Sequence, residues 1–121
     1  MTEPRVLVIG LDPAAIDGWD PAPVQAAIER GRVRFDEQRI AADYCLVDPD
    51  GDAEGRIVAA LTGAVYACVV IGGGIRGHEP LLPLFERVVN LVRLHQPDAA
   101  IAFNSRPDDC ADAARRWLPS P

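Results

Sequence analysis

Four short runs of the chain are apolar almost throughout: residues 5–9, 44–47, 67–71 and 100–103. None alternates apolar with polar positions, as a strand with one wet face would, so each reads as a strand covered on both sides. Between them the period lengthens. Val24, Ala27, Ile28, Gly31 and Phe35 fall on one face of a helix predicted over 21–40, with acids and arginines opposite. Gly31 weakens that helix by ~1 kcal/mol relative to alanine, and a short extra strand over 32–35 is the competing assignment. A second helix is predicted over 53–61, after the turn DPDGD, with Asp52 as its cap and Gly63 as its stop. A third runs from Pro80 to the residue before Pro97, and a fourth from Pro107 to Trp117, with Asp108 and Asp109 at the positive end of its dipole.

Strands alternating with helices at this spacing predict a single α/β domain, a three-layer sandwich around a four-stranded parallel sheet. Right-handed crossovers limit the topology. The expected strand order is 2-1-3-4, a four-stranded relative of the flavodoxin-like or Rossmann-like arrangement, with its switch point between the first and third strands.

Ligands of such sheets bind beyond the carboxyl ends of the strands, and the loops are unequal in the same sense. Those at the amino ends are short: Ala41-Ala42-Asp43, Thr62-Gly63-Ala64 and Gln96-Pro97-Asp98. Those at the carboxyl ends are GLDPAAIDGWDPAP, DPDGD, GGGIRGHE and NSRPDD. The first is longer than packing requires and carries Trp19, as a lid would. In the third, Gly72, Gly73 and Gly74 let a ligand approach the backbone, and exposed N–H groups with a following helix start would attract an anion. Arg76 would add a bidentate fork and His78 an acid/base group. Gly10 through Asp12 would face the glycines across the crevice, with Asp48, Asn104, Ser105 and Arg106 around it. The alternative is a tight crossing without ligand, in which Arg76 pairs with Glu79, and Arg106 with Asp108 or Asp109.

Composition narrows the chemistry. The chain has 121 residues, 49% hydrophobic and 25% charged, with a net charge of −6, which disfavours nucleic acid as a partner. All twelve basic residues are arginine. Schiff-base and phosphate-loop lysines are therefore excluded, and any cation for an anionic ligand is a guanidinium. No apolar run approaches the ~20 residues of a membrane span, and the N-terminus lacks the pattern of a signal peptide, so a cytoplasmic protein is expected. Three cysteines without CxxC spacing and two histidines give no metal cluster, and the cysteines read as core residues in a reduced compartment. A helix start would lower the thiol of Cys110, an effect that Asp108 and Asp109 oppose.

Three motifs match only in part. Residues 72–77 fit G-x-G-x-x-G, but the predicted helix starts after the third glycine, and the next strand closes on Phe103-Asn104 instead of an acid for a ribose. LVDPDG, with Asp48 at a strand end, resembles the phosphoacceptor loop of response-regulator receiver domains. Such domains also use an acidic pair, a hydroxyl where Gly72 stands, and a lysine. Cys110 and Arg116 have the C-x5-R spacing of cysteine phosphatases, but within a helical stretch.

The expected function is therefore binding of a small molecule through its phosphate or carboxylate, at Gly72, Gly73, Gly74 and Arg76, with Asp12, Asp48, Asn104 and Arg106 nearby. The sequence names no cofactor. A hydrolase using His78, with Ser105 as nucleophile and Asp12 or Asp48 as orienting acid, is the enzymatic alternative. A third possibility is a non-catalytic accessory protein. Leu81, Leu82, Leu84, Phe85, Val88, Val89, Leu91 and Val92 form an apolar face wider than one core contact requires, which predicts a homodimer through helix 80–96.

Overall fold

A computed structural model describes residues 4–119. Its four strands, β1 (Arg5–Leu11), β2 (Ala41–Val47), β3 (Cys68–Ile71) and β4 (Ala100–Phe103), form one all-parallel sheet in the order β2-β1-β3-β4. Five helices connect or follow them: α1 (Ala22–Glu37), α2 (Ala53–Gly63), the single turn α3 (Gly73–Arg76), α4 (Leu82–His95) and α5 (Cys110–Arg115). Short 3-10 turns occupy Pro13–Ala15 and Glu79–Leu81. This is the flavodoxin-like, Rossmann-like sandwich that the period of the apolar positions predicts.

Each face of the sheet has its own core. Leu7, Ile9, Val47, Val69 and Ile71 pack against Ile57 and Leu61 of α2 and Val88 and Val92 of α4. Val6, Val8, Cys68, Val70 and Ala102 pack against Phe35 of α1 and Ala111, Ala113 and Ala114 of α5. The strands contribute to both, which is why their sequences are apolar without alternation.

Several boundaries move. β2 begins at Ala41, paired with Arg5, because Arg5 forks onto Asp43 with Nε–Oδ2 2.9 Å and Nη2–Oδ1 3.1 Å. The polar residue that reads as loop is therefore held in the ladder. Residues 32–35 are helical, and Arg39, at φ 58°, turns the chain after α1. The long helix expected from Pro80 starts at Leu82, and a separate turn of helix, α3, follows β3 directly. The last helix begins at Cys110 and not near Pro107, because Asp109 holds the preceding loop.

The amino end of the sheet is closed. Buried Gln96 accepts from the Tyr66 amide at 3.1 Å and donates to Leu61 O at 2.7 Å and Ala64 O at 2.6 Å. The Tyr66 hydroxyl donates to Asp43 at 2.8 Å. Most of the wide apolar face of α4 is covered by the chain itself. Leu84, Phe85 and Val89 pack against the core, leaving Leu82 as the well-exposed member of that face, with Leu94 exposed elsewhere on α4. No helix among the described residues is long and apolar enough to cross a membrane.

Candidate ligand-binding cleft

At the carboxyl end the sheet opens. The chain leaves β1 toward β2 and leaves β3 toward β4, in opposite directions, and two glycines meet where they part. The Gly72 amide donates to Ile9 O at 2.8 Å, and a Cβ on Gly72 would lie 3.4 Å from Gly10 Cα. With no side chain at either position the floor stays low. Above it lies a cleft of about 1050 Å³. Val8, Leu11 and Leu46 of the sheet, Val24 and Ile28 of α1, and Ile16 of the loop after β1 form apolar walls. Gly72, Gly73, Gly74, Arg76, His78, Asn104, Ser105 and Arg106 also line it, so eight of the ten residues expected at the site share one cavity.

Arg76 is the least compensated of them. It is partly buried, with no carboxylate in salt-bridge range among the described residues. One Nη2 donates to Asn104 Oδ1 at 3.2 Å, the guanidinium lies 5.4 Å from the centre of the Phe103 ring, and Nε is buried without an acceptor. Glu79 does not pair with it. Asn104, 7% exposed, holds this corner: Oδ1 also accepts from the Gly73 amide at 2.9 Å, and Nδ2 donates to Cys110 Sγ at 3.3 Å.

The three glycine amides are thus not equivalent. Those of Gly72 and Gly73 are engaged by Ile9 and Asn104, and only that of Gly74 has no partner among the described residues. Because the long helix starts at Leu82, its dipole does not follow the glycines directly. Of the groups expected to meet an anion, the Gly74 amide and Arg76 are the ones left without a full set of partners among the described residues.

The remaining candidates divide. Ser105 does not meet His78: its hydroxyl and its amide both donate to Asp109, which also accepts from the Arg106 amide at 3.1 Å. Burial would raise the Asp109 carboxyl, but these hydrogen bonds hold it below its ordinary range. Arg106 pairs with Asp108 at 3.1 Å. Asp12 and Asp48 lie outside the main cleft. Each accepts from the amide two residues on, Ala14 at 3.0 Å and Asp50 at 2.9 Å, and so stabilises its own turn. His78 is exposed on the rim. Trp19, 73% exposed, stands in the wall of the cleft, where the sequence places a lid.

Two residues at the cleft are not apparent from sequence. The Tyr44 hydroxyl is buried there without a partner among the described residues, and burial, reinforced by Cys110, raises its pKa well above the ordinary value. Cys110 also lines the cleft, but burial pushes its thiol up to about 11, with Asp109 and Asp108 adding to the effect. The helix start does not lower it, because the sulfur is enclosed and beside acids. Among the described residues no three His, Cys, Asp or Glu side chains are grouped to hold a metal ion. Comparison with protein-family models, with curated proteins and with solved structures finds no match to this chain, so the functional reading rests on the cleft itself.

Proposed function

We propose that this protein binds a small anionic molecule, through a phosphate or carboxylate that reaches Arg76 and the Gly74 amide. The observation that carries this reading is Arg76: a partly buried cation with, among the described residues, no carboxylate in ion-pair range and no acceptor for its buried Nε. Asp17, Asp20 and Asp50 line the same cleft but do not pair with Arg76, and a partly buried cation with no countercharge in ion-pair range is costly unless an anion completes it. The position agrees with the general rule for open parallel sheets, at the switch point beyond the strand ends.

Calorimetric titration with inorganic phosphate and with acetate tests it. Loss of a charge-assisted contact costs about 1.5–3 kcal/mol, so Arg76→Ala is expected to weaken binding of the preferred anion roughly 10- to 100-fold. Arg93→Ala, on the exposed side of α4, should leave it unchanged. Equal affinity in the wild type and Arg76→Ala would overturn the assignment.

A hydrolase remains the second reading, favoured by His78 on the rim of the same cleft. With Ser105 held by Asp109, His78 would activate water instead of a serine. Turnover of 4-nitrophenyl phosphate or 4-nitrophenyl acetate that disappears in His78→Ala is the expected result, and equal rates in both proteins would remove the role.

A further inference from the structure

The size and lining of the cleft specify more than an anion. Small-molecule pockets span ~300–1,000 Å³, and this one, at about 1050 Å³, far exceeds what a bare phosphate fills. Its walls are one-sided in character. Arg76 and the glycines occupy the β3 side, whereas Val8 and Leu46 face Val24 and Ile28 of α1 across an apolar trough. The mouth mixes apolar and acidic side chains: Ile16, Trp19 and Val24 are 36%, 73% and 38% exposed, beside Asp17, Asp20 and Asp50. Such exposed apolar surface beside a cavity is characteristic of a site that buries part of a ligand.

We infer that the cleft takes an amphipathic organic anion, its charged group on Arg76 and the Gly74 amide and its apolar body, a ring system or alkyl chain, between α1 and strands β1 and β2. This rests on the anion site proposed above and adds the class of molecule that carries the charge. Trp19 and Ile16 cover the apolar body from the solvent side.

Calorimetry with three probes separates the two claims: inorganic phosphate, 2-naphthyl phosphate and neutral 2-naphthol. At ~25 cal/mol per Å² of apolar surface buried, naphthyl phosphate should bind at least about tenfold more tightly than phosphate. It should also bind more tightly than naphthol, with that advantage lost in Arg76→Ala. Val24→Gln, at an exposed position that tolerates the change, and Trp19→Ala should each reduce the naphthyl gain several-fold and leave phosphate binding within twofold. Naphthyl phosphate no tighter than phosphate overturns the amphipathic ligand, yet leaves the anion site standing if phosphate still depends on Arg76. A naphthyl gain unchanged in both Val24→Gln and Trp19→Ala overturns it as well. Equal binding of naphthol and naphthyl phosphate would overturn both claims.

Discussion

Asn104 and Tyr44 show how one polar residue can be built into a site and another left open. The Asn104 side chain joins the Gly73 amide, Arg76 and Cys110, so it fixes the guanidinium and the glycine turn together. Asn104→Ala leaves a partly buried amide and a guanidinium N–H without their acceptor, and should lower stability by about 1–3 kcal/mol in urea unfolding. An unchanged urea midpoint would contradict that role. Tyr44→Phe should behave oppositely. Its hydroxyl is buried without a partner among the described residues, so its removal should leave stability equal to or above that of the wild type; a loss above ~1 kcal/mol would reveal a partner. Asn104 was legible in the sequence because it ends a strand beside the glycines. Tyr44 was not, because within an apolar strand the ring reads as wall, and only the approach of α1 determines that its hydroxyl is enclosed. Asp12 and Asp48 were misleading for a related reason: a carboxylate at a strand end serves a turn or a ligand equally well, and here both accept local amides.

Among the elements, the strands were legible because four apolar runs must be buried on both faces. Their ends were not: β2 extends over Asp43 because Arg5 pairs with it across the ladder, a contact invisible to local pattern. The one-turn α3 was missed because three glycines have weak helical preference, and the backbone there is set by Ile9 and Asn104. Gly31 was visible as a weak point in α1, and the structure gives its reason. A Cβ there would lie 3.0 Å from Pro107 O and 3.3 Å from the Tyr44 hydroxyl, so the glycine lets α1 close on the loop after β4. Gly31→Ala should therefore give none of the ~1 kcal/mol that alanine normally contributes to a helix interior. Thermal unfolding checks this: a clear rise in Tm would show that the contact yields freely.

Across the whole molecule, the topology places the cleft, and the core against α1 and α5 sets the resistance to base. Burial pushes the thiols of Cys68 and Cys110 up to about 11, against an ordinary value of 9.0. An unfolded chain ionises these thiols first, so stability is complete below about pH 8.5 and falls as pH rises toward 11. Each thiol should remove on the order of 2–3 kcal/mol over that window, and urea midpoints at pH 8 and pH 10.5 that coincide would refute the burial argument. The switch point between β1 and β3 was deducible from strand order alone, but which groups converge there depended on side-chain partners that no periodicity encodes. The most direct test of the proposed anion site is nuclear magnetic resonance of the ¹⁵N-labelled protein during titration with inorganic phosphate. The Gly74 amide and the Arg76 Nε–H are expected to shift together along one saturating curve. Saturable shifts elsewhere, with both of these signals stationary, would contradict that assignment.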